Sequence, residues 1–467
     1  LSVPAVIFSA ADPPDPLLVP QSWQVPWIER LIWVFMLSFA FDYRSEQSGE
    51  ASGAGIDQLL FLATCVGSTA GIFLLGWRSL MVRPGAWLIG FWAIFIAFML
   101  ANSALQGVPF SRSIRVILPL VFCLFAIVNS HIAGCAGIRP SRIVTPIFVA
   151  ACINIIWRIV HGFLFKGLTL ATVRIEVLSP VNDWLAAWIA CAILLRGRFD
   201  WKVLLACTVL FIGIFITVTR SLAFPVLTAV LASSLCFMLG VRWGSFKWSS
   251  LGKRLLPVGA AGLLVVGSLV LVTLFQPLMI ERWTERLFHD IDARNISTDI
   301  SYLTRKAEAD AMWKLLADDP VHFIHGLGIG SSYYWDSSYL PEIWMIMPKD
   351  DLEVDDIWFA GHSVWTYALL SGGVIAFASY LILLGWTAAF SLRTAYSNAS
   401  DPGPDQWLAF LPFVAVCCLT SLSMTSNPFQ ERLTGIFFGM MAGLPQAFMV
   451  RASWIHTSTR PQRREPS

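Results

Sequence analysis

The chain is 467 residues long, 56% hydrophobic and only 13% charged, with a net charge of +2 and a mean hydropathy of +0.67. A soluble domain carries roughly a quarter charged residues, so these values exclude a water-soluble protein. So small a net charge also argues against nucleic acid as a partner.

Runs of about 20 apolar residues cross a bilayer as helices. About twelve candidates occur, near 25–43, 56–77, 85–106, 113–133, 143–164, 182–196, 202–219, 222–240, 255–276, 362–390, 407–425 and 434–450. No alternating strand pattern accompanies them, which predicts an all-α fold and not an outer-membrane barrel. The expectation is a polytopic transmembrane helix bundle of about twelve spans, with one large periplasmic loop, containing short helices, between spans nine and ten. Its parts would be an N-terminal segment 1–24, spans one to nine over 25–276, the loop over 277–361, spans ten to twelve over 362–450, and a basic cytoplasmic tail over 451–467. The proline-rich N-terminal 22 residues lack a charged n-region, so no cleavable signal peptide is expected.

With the N-terminus inside, the cytoplasmic segments carry Arg78, Arg83, Arg139, Arg142, Arg196, Arg198, Lys202, Arg242, Lys247, Lys253, Arg254 and Arg393. The tail adds Arg451, Arg460, Arg463 and Arg464. The short outer loops carry fewer basic residues, and the positive-inside rule therefore turns 277–361 outward. All nine cysteines lie in or beside spans, and neither a disulfide framework nor a zinc spacing is visible.

The first five spans read as scaffold, with Trp23, Trp27, Trp77 and Trp87 as interfacial anchors. The outer face then gathers arginines against the orientation bias. Arg112 and Arg115 share one helical face at the start of span four. Arg174 lies in T-V-R-I-E-V-L-S-P-V-N-D-W, and Arg220 occupies the tight hairpin T-V-T-R-S-L. Each alone can be a snorkelling residue; together they would form a diphosphate site, because guanidinium forks match such oxygens bidentately.

Within the late polar stretch, 299–318 reads as a helix with a solvated face of Lys306, Asp310 and Lys314. At about 100° per residue, Arg305 falls on the stripe of Met312 and Leu316, which predicts a buried arginine in need of an anionic partner. In H-F-I-H-G-L-G-I-G-S-S-Y-Y-W the glycines read as a turn, or as backbone able to approach a phosphate. His325 is a secondary candidate; Tyr333, Tyr334 and Trp335 could stack on sugar rings or rest in the headgroup layer. The acidic run Asp350, Asp351, Glu353, Asp355 and Asp356 lacks regular metal-ligand spacing and reads as a solvated charge run, so no metal is expected. His362 opens span ten, placed to take a proton as a general base does.

In order and spacing, several of these motifs resemble the O-antigen ligase and polymerase superfamily of bacterial membrane glycosyltransferases. They are Arg174 followed by P-V-N, T-R-S at Arg220, R-K-A-E-A-D-A-M-W with Arg305, D-P-V-H-F-I-H-G-L-G-I-G, and His362-Ser363 followed by Gly373. The resemblance covers roughly residues 170–390, and it departs at Ala376, where a second glycine is expected. It implies metal-independent, inverting glycosyl transfer at the periplasmic face of the inner membrane, with no cofactor. The implied donor is a glycan on undecaprenyl diphosphate. The acceptor is another glycan, for a polymerase, or lipid A–core, for a ligase; a chain-length regulator is a further conceivable partner. His362 would act as base, while Arg174, Arg220 and Arg305 would bind the diphosphate, Arg305 also stabilising the leaving charge. The aromatic, acidic end of the late loop suits a glycan acceptor and favours the polymerase. The rival class, a lipid or glycan transporter, predicts ionisable residues at mid-depth and paired broken helices; Arg158 near the outer end of span five, with little charge elsewhere, gives it poor support.

Overall fold

The computed structural model describes residues 16–43, 56–169, 177–292, 300–334, 358–359, 361–399, 403–424 and 426–450. The fold is all-helical among them. Its elements are α1 (Val25–Leu37), α2 (Ile56–Gly76), α3 (Gly85–Leu105), α4 (Phe110–Cys135), α5 (Pro140–Leu164), α6 (Asn182–Cys191), α7 (Trp201–Thr217) and α8 (Ala223–Arg242). They continue as α9 (Leu251–Phe275), α10 (Pro277–Asp292), α11 (Ile300–Ala317), α12 (His322–His325), α13 (Val364–Ser397), α14 (Leu411–Ser423) and α15 (Arg432–Gly443).

Eight of the described helical segments are long and apolar enough to cross a membrane, not about twelve: 56–81, 85–105, 110–135, 140–164, 223–242, 248–275, 364–397 and 432–450. The expected first, sixth, seventh and eleventh spans fail on length. α1 and α14 have 13 residues each, roughly 20 Å of helix at 1.5 Å per residue, against a hydrocarbon layer of about 30 Å. α6 has ten residues, all buried, and ends in a five-residue π-turn, 192–196. Hydropathy registers such interior helices as spans because protein and lipid are equally apolar neighbours.

The expected large periplasmic loop over 277–361 is also corrected. Its first part is α10, which leaves α9 at Gln276-Pro277, where proline cannot donate to the preceding turn. α10 returns to the bundle: Met279 is buried with Phe215 and Val218, and Trp283 Nε1 donates to the Phe215 carbonyl at 3.0 Å. α11 and α12 pack on α13, and residues 326–333 run into the core, with Ile329 2% and Tyr333 1% exposed.

Between apolar helices in lipid the hydrophobic effect supplies little, so close backbone packing carries the association. α15 and α4 show this most clearly. A Cβ on Gly435 would stand 2.3 Å from the Pro119 carbonyl oxygen, and one on Gly439 2.3 Å from that of Cys123. Ser130 Oγ adds a hydrogen bond to the Met440 carbonyl at 2.9 Å.

α13 is broken at Gly373 (φ 62°, ψ −156°). The Leu370 carbonyl released there accepts from Leu327 N at 2.7 Å, and that of Ser371 from Gly328 N at 3.0 Å. Gly326 (φ 69°) admits this approach, since a Cβ on it would meet Gly372 N at 2.5 Å. The glycines after α12 thus dock a chain segment into a split helix. Asn102 Nδ2 and Ser103 Oγ, at the end of α3, secure that segment through the His325 and Ile329 carbonyls at 2.5 and 3.1 Å.

Candidate active site

The face of α11 turned to the bundle carries Leu303, Ala307, Ala311, Met312 and Leu316, and within it stands Glu308, 2% exposed. A carboxylate so enclosed needs several hydrogen bonds. His362 provides two: its backbone N donates to Oε1 at 2.6 Å, and its ring Nδ1 lies 2.6 Å from Oε2. Tyr333 gives a side-chain hydrogen bond to the same group. Burial pushes the Tyr333 phenol far up, with the Glu308 charge adding to it, so the phenol stays protonated and donates.

Gly361 makes the close approach of His362 achievable. A Cβ there would stand 2.8 Å from Met312 Cε, 2.9 Å from Tyr367 Cβ and 3.1 Å from Glu308 Oε1. The Gln430 side chain, oriented to satisfy both its partners, accepts from Gly361 N at 2.9 Å and donates to its carbonyl at 3.3 Å. Tyr367 Oη donates to the Phe359 carbonyl at 3.0 Å and accepts from Gly330 N at 3.2 Å. An antiparallel bridge pairs Tyr333 with Trp358, whose ring lies 6.3 Å from that of His362.

A carboxylate only accepts hydrogen bonds. The Glu308 contact therefore puts the His362 proton on Nδ1 and leaves the Nε2 lone pair available. The His362 side chain is 39% exposed. Glu308 and His362 thus form an oriented carboxylate–imidazole pair at one end of the bundle, suited to removing a proton from a hydroxyl.

Arg112 and Arg115 flank Phe359, three residues before His362, each guanidinium lying 5.6 Å from the centre of its ring. Arg305 does not occupy the buried face expected of it: it is exposed on the second turn of α11. Its angular position lies at the rim of the packed arc, and the buried ionisable residue of that helix is Glu308, one turn further on. Tyr333 is corrected as a sugar-stacking residue, because a ring 1% exposed has no open face; Tyr334 is exposed. His325 Nδ1 faces its neighbour's carbonyl, Gly326 O, at 2.7 Å, and its own carbonyl holds Asn102. Arg174, Trp335 and the acidic run 350–356 lie outside the described residues, as does the Arg220 side chain.

The backbone following Arg220 is nonetheless informative. Ser221 and Leu222 line a cavity of ≈ 90 Å³ with Leu178, Ser179, Asn427 and Glu431. Burial raises the Glu431 carboxyl and Arg158 opposes that shift; Arg158 Nη1 donates to the Leu178 carbonyl at 2.5 Å. Gln430, which holds Gly361, immediately precedes Glu431 of this cavity's lining. Among the described residues no three His, Cys, Asp or Glu side chains gather as a metal site requires.

Sequence reasoning missed Glu308, although a signal was present. At about 100° per residue, Glu308 projects between Ala311 and Met312, inside the apolar arc.

Fold and site together define a multi-pass, all-helical membrane protein with a buried carboxylate–histidine pair near one end of its bundle. No protein-family model and no curated protein matches the chain.

Proposed function

We propose that this protein is a membrane glycosyltransferase that moves a glycan from a polyprenyl diphosphate, undecaprenyl diphosphate in a bacterial inner membrane, to the hydroxyl of an acceptor glycan. The observation that carries this reading is the 2.6 Å contact between buried Glu308 and His362 Nδ1, which leaves Nε2 aimed away from the carboxylate. In the proposed reaction Nε2 takes the acceptor hydroxyl proton as the oxygen bonds to the anomeric carbon. The bond from that carbon to the diphosphate oxygen breaks, and the diphosphate leaves with the electron pair. In-line attack inverts the anomeric centre. Cationic side chains take up the leaving charge: Arg112 and Arg115 stand over the Phe359 ring, three residues before His362, with Arg305, Arg220 and Arg174 assigned by resemblance.

The basic residues support an outward face for this chemistry. Arg139, Arg142, Arg196, Arg198, Lys202, Arg242, Lys247, Lys253 and Arg254 lie at or next to helix ends remote from His362, and the positive-inside rule puts that end in the cytoplasm.

The transporter reading draws on one observation, the break in α13 at Gly373. Transporters use carbonyls exposed by such breaks to hold ions; here those of Leu370 and Ser371 are bonded to Leu327 and Gly328, which favours a structural break.

The test is purified protein supplied with undecaprenyl diphosphate-linked oligosaccharide and either a second such lipid or lipid A–core. Product with the second lipid is expected, as for a polymerase; product with lipid A–core alone makes the protein a ligase. His362→Ala should lower turnover by about 10² or more, and undiminished product from it sinks the assignment.

A further inference from the structure

A second site lies at the other end of the bundle. α13 starts two residues after His362 and, past its break at Gly373, continues to Ser397, roughly 36 Å of helix at 1.5 Å per residue, and beyond its far end the chain forms a cleft of ≈ 700 Å³. That volume falls within the range of small-molecule sites, about 300–1,000 Å³. The start of α5, the π-turn after α6, the start of α7 and residues 403–408 enclose it.

Four cationic side chains, Arg196, Arg198, Lys202 and Arg254, line the cleft against one carboxylate, Asp405. Arg196 is paired with Asp200, outside the lining, at 2.8 Å. Arg254 is engaged in structure: its Nη1 donates to the Leu194 carbonyl at 2.8 Å and to that of Leu195, closing the π-turn. Gly197 (φ 70°) lets it cross there, since a Cβ would stand 3.1 Å from Arg254 Cγ. Arg198 is exposed and Lys202 half-buried. The remaining wall is aromatic: Trp201 is exposed and Phe246 half-buried, while Phe148, Trp188 and Trp407 are largely buried and show only an edge to the cleft.

We propose that this cleft binds an anionic phospholipid, its headgroup phosphate held by Arg198 and Lys202 beside Arg196 and one acyl chain lying along the aromatic wall. Excess positive charge selects an anion. The aromatic wall at the end of apolar helices selects one attached to hydrocarbon, as basic pockets between transmembrane helices do. The site is separate from the Glu308–His362 pair and does not depend on the chemistry assigned there.

The experiment measures equilibrium binding of fluorescent phosphatidylglycerol to the full chain in non-ionic detergent. Unlabelled phosphatidylglycerol should compete, whereas phosphatidylcholine and inorganic phosphate should not. Arg198→Gln with Lys202→Gln should weaken binding about 30-fold. Lys247→Gln with Lys253→Gln, exposed lysines that do not line the cleft, should leave it unchanged. Equal competition by phosphatidylcholine, displacement by inorganic phosphate, or unaltered binding in the cleft variant overturns the proposal. Should the double variant fail to fold, exposed Arg198→Gln alone is read by native mass spectrometry of co-purified lipid, and retention at the wild-type level overturns it equally.

Discussion

Glu308 receives three donors, the His362 backbone and ring and the Tyr333 phenol, and that arrangement fixes which nitrogen of the histidine carries the proton. Glu308→Gln keeps the shape but can present an amide NH₂ to Nδ1, driving the proton to Nε2 and removing the base. Turnover of the lipid-linked glycan should fall by about 10²–10⁴, with the variant still eluting as folded protein in detergent. Initial rates within threefold of wild type would take Glu308 out of the mechanism. His362 was legible in the sequence because a histidine at the start of a span is conspicuous. Glu308 was not, because R-K-A-E-A-D looks uniformly solvated until its apolar neighbours are projected onto the helix. Arg305 shows the converse error: its angle sets it beside Met312 and Leu316, but at the rim of the apolar arc, where it is exposed.

At the scale of elements, α15 depends on α4 more than on lipid, since 94% of the apolar window within 432–450 is buried. Gly439→Ala puts a methyl group 2.3 Å from the Cys123 carbonyl oxygen, and neither backbone can yield without disturbing Gly435 and Gly443 beside it. The expected loss is about 1–3 kcal/mol, the usual cost of overpacking, read as a lower unfolding midpoint in detergent. Gly67→Ala, with nothing within 4 Å of the added atom, is the control; equal midpoints for the two variants would refute the packing argument. Helix content was written plainly in the apolar runs. The number of spans was not, because α1, α6, α7 and α14 are as apolar as true spans and differ in length, which blurred boundaries conceal. Nor could the glycines after α12 announce their partner: the break in α13 that they enter lies more than forty residues along the chain.

Across the whole molecule, one end of the bundle holds the carboxylate–histidine pair and the other holds most of the described basic residues. These two asymmetries agree if the Glu308–His362 end faces outward, where a flipped polyprenyl diphosphate donor would present its glycan. Exposed Tyr334, next to Tyr333 of the site, and exposed Lys247, after α8, mark the two ends. Tyr334→Cys and Lys247→Cys should therefore report opposite sides of the membrane to an impermeant maleimide. The nine native cysteines give little background, seven being buried and Cys207 and Cys417 partly so. In intact cells the cysteine at 334 is expected to react and that at 247 to react only after permeabilisation. The reverse pattern would put the pair on the cytoplasmic side, away from a donor in the outer leaflet. The base chemistry could then survive, because it depends only on Glu308 and His362, but the donor would have to be one presented before flipping.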